Sequence, residues 1–330
     1  MPCDAGPDGT AERRPAAPRL SCVVPCCNEA ESLPQLLPRL RSSLSALTPH
    51  WEVILVDDGS TDRTDELLAT WARQPGFRVR LLSRNFGKEA ALTAGLQAAR
   101  GDVVVMMDAD GQHPPSLLAT LLDGWRQGAD VVYAVRSDRQ DEGPLKRQGT
   151  RLFYAMVNAA HRVKLPPDAG DFRLMDRCAV DALLALPERN RFMKGLYAWV
   201  GFKTLAVPYQ PPPRAGGHSS YGLRRLVSLS VSGLTAFTNW PLRVVSVLGV
   251  LFALFGFLYG AYLVAEYALL GNNVSGWTTI VVSLMLFSGV QMISLGVIGE
   301  YLARVYEEVK GRPLFIVRRD LGQGLPEPGP

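Results

Sequence analysis

Positions 1–18 contain no apolar stretch of the kind a secretory signal needs. They are rich in Pro, Ala and Gly, so the sequence predicts a disordered tail there and no secretory signal. Histidine is scarce, with four in 330 residues, and the five cysteines (Cys3, Cys22, Cys26, Cys27 and Cys178) include no C-x-x-C pair and no His at ligand spacing. That argues against a zinc site. The odd count and the apolar run around Cys22 and Cys26 fit buried thiols in a reducing compartment. Glycine-rich phosphate loops are missing as well. No G-x-G-x-x-G follows the first strand-like run and no G-x-x-x-x-G-K-[ST] occurs anywhere, which removes the main support for dinucleotide and P-loop readings. A net charge of +4 without any dense Lys/Arg run gives no reason to expect nucleic acid as a partner.

What is present is distributed unevenly. Charged residues crowd the first 240 positions, and two uncharged apolar stretches follow, Val244–Ala265 and Trp277–Gly299. Each exceeds the ~20 residues that cross a bilayer as a helix. The short link Glu266–Gly276 makes them a hairpin with both ends on one side. Arg224, Arg225 and Arg243 precede the first stretch, while Arg304, Lys310, Arg312, Arg318 and Arg319 follow the second, and the link has no Lys or Arg. The positive-inside rule therefore puts the N-terminal domain and a tail over residues 305–330 in the cytoplasm. Asn273-Val274-Ser275 is a formal sequon in too short a loop to count for more than chance. Gly256 and Gly260 make a small-xxx-small step that permits close helix approach. Residues 223–240, with Leu226, Leu229, Val231, Leu234 and Phe237 among polar neighbours, predict an interfacial amphipathic helix with Trp240 at headgroup level.

Over residues 19–222 the pattern is α/β. β-Branched runs at Ser21–Pro25, Val53–Val56, Val79–Leu82, Val103–Met107 and Val131–Val135 alternate with helical periods at Glu31–Leu47, Asp62–Arg73, Lys88–Ala99 and Pro115–Gln127. Strands this apolar are buried on both faces, so they predict a mostly parallel sheet with helices on each side and ligands at the strand C-terminal ends. Those ends are acidic: Asn28-Glu29, Asp57-Asp58 and Asp108-Ala109-Asp110. In an extended segment Asp108 and Asp110 point the same way and can share one Mg²⁺ or Mn²⁺, with Gln112 and His113 near enough to contribute. A solvated turn is the plainer alternative. Asp57 and Asp58 can accept hydrogen bonds from a ribose or a base, and Ser60 or Thr61 can cap the next helix at the same time.

Taken together, VVPCCNEAESL (23–33), EVILVDDGSTDRT (52–64), RNFGKEAALTAGL (84–96) and DADGQHPP (108–115) resemble the inverting glycosyltransferases of family 2. More narrowly, they resemble the branch of dolichol-phosphate mannosyltransferases and bacterial polyprenyl-phosphate glucosyltransferases. GDFRLMDR (170–177), NRFMKGLYAWVG (190–201), RAGGHSSYG (214–222) and GEYLARVYEEVKGRP (299–313) continue it, so it covers roughly 20–320 in order. Two positions depart from the pattern. Cys27 stands where an aromatic is usual, bearing on base packing, and Ser220 stands where a Lys is common, bearing on phosphate binding.

The resemblance implies a GT-A fold and transfer of a hexose from a nucleotide-sugar donor to a polyprenyl (undecaprenyl or dolichyl) phosphate. UDP-glucose is the favoured donor and GDP-mannose the alternative. It further implies that Pro25, Asn28, Glu29, Asp57, Asp58, Lys88, Asp108 and Ala109 hold the nucleotide-sugar. Asp110, Asp171 and Arg173 act at the reacting centre, and Asp108, Asp110 and Gln112 hold the metal. Arg136, Arg139, Lys146 and Arg147 cluster after the fifth strand, with Arg173, Arg191 and Arg214 later, and arginine forks suit phosphate. Of these, Arg136, Arg139, Arg147, Arg191 and Arg214, with Ser219, are the candidates for the acceptor phosphate. Tyr154 and Asn158 read as packing residues. The glycine pair in Arg214–Tyr221 suggests a lid, with a plain linker as the alternative. Basic residues beside the spans fit membrane lipids as partners, and a homo-oligomer is left open. A catalytically inactive nucleotide-sugar-binding scaffold is the competing class. A processive synthase lacks support because no Q-x-x-R-W block is present.

Overall fold

The structure is a computed structural model that describes residues 14–136, 169–189, 191–210, 240–270 and 276–326. The chain divides into two units, and residues 313–330, after the hairpin, belong to the first.

In that first unit the strands are β1 (Leu20–Cys26), β2 (Trp51–Asp57), β3 (Phe77–Leu82), β4 (Val103–Met106), β5 (Val131–Arg136), β6 (Ala169–Asp176), β7 (Thr204–Tyr209) and β8 (Val317–Gly322). They form one sheet in the order β7-β5-β6-β4-β1-β2-β3-β8. The β4-β1-β2-β3 stretch is parallel, as is β5-β7, whereas β6 and β8 run antiparallel to their neighbours. The apolar runs form strands because helices cover both of their faces. α1 (Leu33–Leu47), α2 (Thr64–Trp71) and α4 (Leu118–Arg126) lie on one side. Leu33, Leu36, Leu37, Leu40 and Leu44 of α1 recur at helical spacing and are buried against Leu20, Cys22, Val24 and Val53. Each contributes about 2 kcal/mol of gross burial energy.

The other side is packed by α3 (Lys88–Ala98), α5 (Arg177–Ala185) and α6 (Met193–Trp199). The inward face of α3 is built from Ala90, Ala91, Ala94, Gly95 and Ala98. At Gly95 a Cβ would collide with Val23 and stand 3.2 Å from Val56, so the small residue sets how closely α3 lies on the sheet.

β8 follows the hairpin in sequence yet closes the β3 edge. Asp320 accepts from Arg78 (Nε and Nη2, both 2.9 Å) and from Arg80 Nε (3.0 Å). Beyond it, the Leu325 N–H donates to buried Glu52 (2.9 Å), whose other oxygen accepts from Ser21 Oγ (2.6 Å) and the Arg100 N–H (2.8 Å). The tail expected as a separate cytoplasmic segment thus includes a strand of the main sheet.

The second unit holds α7 (Trp240–Leu270) and α8 (Trp277–Val309), of 31 and 33 residues. At 1.5 Å per residue each is longer than the ~30 Å hydrocarbon core. Val244–Tyr262 and Val282–Val309 are the stretches apolar enough to span it. Their large side chains face outward: Val250, Phe257 and Met285 are 67–74% exposed. Space around Gly256 and Gly260 is open. The expected interfacial segment up to residue 239 and the link over 271–275 lie outside the described residues.

Candidate active site

The parallel strands deliver their C-terminal ends to one edge, level with one another: Cys26 is opposite Asp57, and Val23 opposite Met106. Antiparallel β6 delivers its beginning to the same edge. With Met106 opposite Arg173, Asp171 lies two residues further along β6, level with Asp108 two residues past the end of β4. Lys88, the first residue of α3, joins the two. Its Nζ is 2.7 Å from Asp108 Oδ1 and 2.7 Å from Asp171 Oδ2. Burial opposes the Lys88 charge, but the two carboxylates outweigh it and hold its pKa above the usual value. Burial likewise opposes ionisation of Asp171, and Lys88 reverses the effect so that its pKa is lowered.

Three features fix this pair in place. Ala109 is buried, which leaves Asp108 and Asp110 flanking it at the partly exposed edge. The Asp108 N–H donates to His113 Nδ1 (2.9 Å), and the His113 ring stacks on Phe172 at 4.7 Å. Burial lowers the His113 pKa, with Asp108 and Asp110 acting against it, so the imidazole is neutral at pH 7 and carries its proton on Nε2. The third is the Asp110 carboxylate, which accepts the Gln112 N–H (3.0 Å) across Gly111, whose φ of +75° lets the chain turn there.

The two strand-end loops are knitted to each other. Asn28 adopts a left-handed φ of 58° and its Oδ1 accepts the N–H groups of Thr61 (2.8 Å) and Asp62 (3.3 Å). Its own N–H donates to Ser60 Oγ (2.9 Å), and the Glu29 N–H donates to Thr64 Oγ1 (3.0 Å). Asp57 accepts from the Ser60 hydroxyl and N–H. Asp58 accepts the N–H groups of Phe86 (2.7 Å) and Gly87 (2.9 Å), clamping the loop ahead of Lys88. Burial raises the pKa of both aspartates, against these hydrogen bonds. Burial also raises that of Glu29, which Asp110 and Asp108 push further. Cys27 rests between these loops, taking a bond from Asn85 Nδ2 at 3.4 Å; partial desolvation and the Asp58 carboxylate raise its pKa.

Several expected roles meet different surroundings. The Gln112 amide oxygen accepts from Arg136 Nη2 (2.6 Å) and the side chain is buried, so it is turned to Arg136 and not offered as a metal ligand. Arg173 is buried with its guanidinium 3.5 Å over the Tyr197 ring and Nη2 on the Gly170 carbonyl (2.6 Å). Arg191 is buried too, donating to the Leu183 (2.6 Å) and Leu186 (3.3 Å) carbonyls at the end of α5. That satisfies a helix terminus with the Arg191 guanidinium. Pro25 lies within β1, opposite Val56. Arg139, Lys146, Arg147, Tyr154, Asn158, Arg214, Ser219 and Ser220 lie outside the described residues.

Sequence reading passed over Glu89. In the first turn of α3 an acidic residue reads as a helix-dipole partner, and nothing in its spacing signals burial. The structure half-buries it beside Asp171 and against the Met193 N–H, and loss of solvent raises its carboxyl from 4.5 to about 7.

Among the described residues no three His, Cys, Asp or Glu side chains are arranged as a metal cage. Two carboxylates with the remaining positions left to phosphate oxygens and water are how Mg²⁺ is ordinarily taken, and Asp108 with Asp110 fits that donor set.

The Glycosyl transferase family 2 profile matches residues 21–184, and the GtrB C-terminal hairpin profile matches residues 240–305. An uncharacterized glycosyltransferase of Synechocystis sp. is 44% identical over 90% of this chain and 94% of its own length. A bactoprenol glucosyl transferase of Shigella phage SfII is 40% identical over 91% of this chain and 98% of its own. Among solved structures, glucosyl-3-phosphoglycerate synthase from Mycobacterium tuberculosis, in complex with Mn²⁺, uridine-diphosphate and phosphoglyceric acid, is 20% identical with a TM-score of 0.45, covering 66% of this chain and 76% of that one. The acidic strand ends, the ordered blocks around them and the apolar hairpin that follows therefore have one common origin: the chain is a membrane-associated glycosyltransferase that belongs to glycosyl transferase family 2, in the branch carrying the GtrB C-terminal hairpin.

Proposed function

We propose that this enzyme transfers glucose, with inversion, from UDP-glucose to a polyprenyl phosphate on the cytoplasmic face of a membrane. The observation that carries the reading is the Asp108–Lys88–Asp171 cluster beside Asp110, at the strand edge of a chain with a two-helix anchor. The name of the Shigella phage relative, a bactoprenol glucosyl transferase, supports glucose and a polyprenyl acceptor. GDP-mannose is the alternative donor.

Asp108 and Asp110 would hold a divalent cation, which supplies neutralisation of the charge growing on the departing nucleoside diphosphate. The chain's own residues do the rest. His113 fixes the Asp108 backbone, and Asp171 orients Lys88 at the reacting centre. Asp58 anchors the loop that presents Lys88. The acceptor needs no strong general base. A phosphate monoester with a second pKa near ~6 is already largely dianionic at neutral pH. Arg136 is exposed on β5, where it can meet that phosphate; Arg139, Arg147, Arg214 and Ser219 are proposed to join it.

The test is transfer by the purified protein from UDP-[¹⁴C]glucose and GDP-[¹⁴C]mannose to undecaprenyl and dolichyl phosphate. Lipid-linked glucose should form, and Asp110→Asn or excess chelator should lower its rate at least ~100-fold. Undiminished transfer in chelator would overturn the metal role. Absence of lipid-linked sugar with every acceptor would overturn the acceptor.

A further inference from the structure

Lys88 occupies the position next to Asp108 that a cation has to approach. We infer that Lys88 is the resident counter-ion of this site, and that its ammonium must leave Asp108 before a divalent cation can settle there, so that cation and nucleotide bind as a coupled pair. This rests on the proposal that Asp108 and Asp110 take a divalent cation, and it adds the order in which the site is filled.

The geometry supplies the conflict. Asp108 Oδ1 lies 2.7 Å from the ammonium, and a dication bound to that carboxylate would stand beside an existing positive charge. Sending Lys88 into water would take from Asp171, held at the start of β6, its partner at 2.7 Å and leave it only the more distant charges of Lys194 and Arg173. Both routes cost free energy, so the cation alone binds weakly. A nucleoside diphosphate changes the balance because its oxygens give the ammonium a new anionic partner while they complete the shell of the cation.

Lys88 is built for that exchange. Its backbone is pinned, since Asp58 accepts the Phe86 and Gly87 N–H groups just before it and Gly87 takes a φ of 98°. Its side chain is 43% exposed, leaving a pinned base with an end that reaches solvent. Lysine is a compact charge on a flexible stem, where an arginine fork would hold its carboxylates rigidly. Coupling of this kind is reciprocal: the cation must tighten nucleotide binding by the factor that nucleotide tightens cation binding.

The experiment measures Mn²⁺ bound to the purified full-length protein by electron paramagnetic resonance, with and without UDP and corrected for Mn²⁺–UDP formed in solution. Wild type should bind Mn²⁺ weakly alone and at least ~10-fold more tightly with UDP, a factor worth about 1.4 kcal/mol. Lys88→Met and Lys88→Gln should both bind Mn²⁺ alone ~10-fold more tightly than wild type, and UDP should add correspondingly less. Lys88→Arg, which keeps the charge, should stay as weak as wild type. Equal Mn²⁺ affinity in wild type and both neutral variants overturns the counter-ion role while leaving the metal site standing. Mn²⁺ binding that is unaffected by Asp110→Asn in every protein, with or without UDP, overturns the metal reading itself and this inference with it.

Discussion

Replacing Glu89 with glutamine should stabilise the protein at alkaline pH and have no effect at acid pH. In the folded protein burial, aided by Asp171, holds this carboxyl at about 7, against the pull of Lys88, the Met193 N–H and Lys194; its ordinary value is 4.5. Between the two values the native state keeps a proton that the unfolded chain releases. Stability therefore falls as pH rises through that interval and reaches its full deficit above about 7. The gap corresponds to about 3 kcal/mol as an upper bound. Relaxation and water around a partly buried group reduce it, and half that value raises the melting temperature by about 3–6 °C for a unit of this size. Glutamine keeps the shape and can still accept the Met193 N–H, but it has no charge to desolvate. Thermal unfolding in detergent with chelator present, scanned from pH 4.5 to 8.5, checks the sign as well as the size. Glu89→Gln should melt higher than wild type at pH 8.5, with the gain shrinking towards zero at pH 4.5. Equal melting at pH 8.5, or a gain of the same size at every pH, would refute the reasoning.

Asp320→Asn should cost about 1 kcal/mol near pH 7, the expected size for a partly exposed carboxylate shared by two arginines. Burial works against the Asp320 anion, but Arg78 and Arg80 hold its pKa below 3.8. The difference from wild type should therefore shrink as pH falls from 3.8 through the lowered native-state value, and a difference unchanged at pH 3 would contradict it. In intact cells a single cysteine at Asn272, in a background without native cysteines, should react with a membrane-impermeant thiol reagent, and one at Lys310 should not. The opposite labelling would place the active site away from cytoplasmic nucleotide-sugars.

The strands β1 to β5 were legible because β1, β2 and β4 are apolar runs buried on both faces and β3 and β5 hold β-branched apolar residues, and the helices between them show an apolar face. The strands outside that rule escaped reading. β6 (AGDFRLMD) alternates charged and apolar residues and contains a motif, β7 carries Pro208 and β8 reads VRRDLG. Arg318 and Arg319 read as flanking charges of a membrane span, while the structure places them on an edge strand, where charge is ordinary. In the site, the adjacency of Asp108 and Asp110 could be read from spacing alone. Lys88 and Asp171 lie 83 residues apart, and only the reversed direction of β6 brings them together. The burial of Arg173 and Arg191 had no local signal, since an arginine satisfied by carbonyls or an aromatic face looks in sequence like one free to meet phosphate.

The pairing of β8 with β3 also has a consequence for how the protein is made. About 235 residues separate Leu82 from Val317, and at ~5–20 residues per second a ribosome needs roughly 10–50 s to cover them. Throughout that interval the β3 edge has no partner strand, and buried Glu52 lacks the Leu325 N–H. Both helices of the hairpin are synthesised within the same interval. The catalytic sheet is thus finished only after both hairpin helices have been synthesised, so a chain that stops short of β8 carries an open strand edge, the feature by which unfinished sheets aggregate or are recognised for degradation.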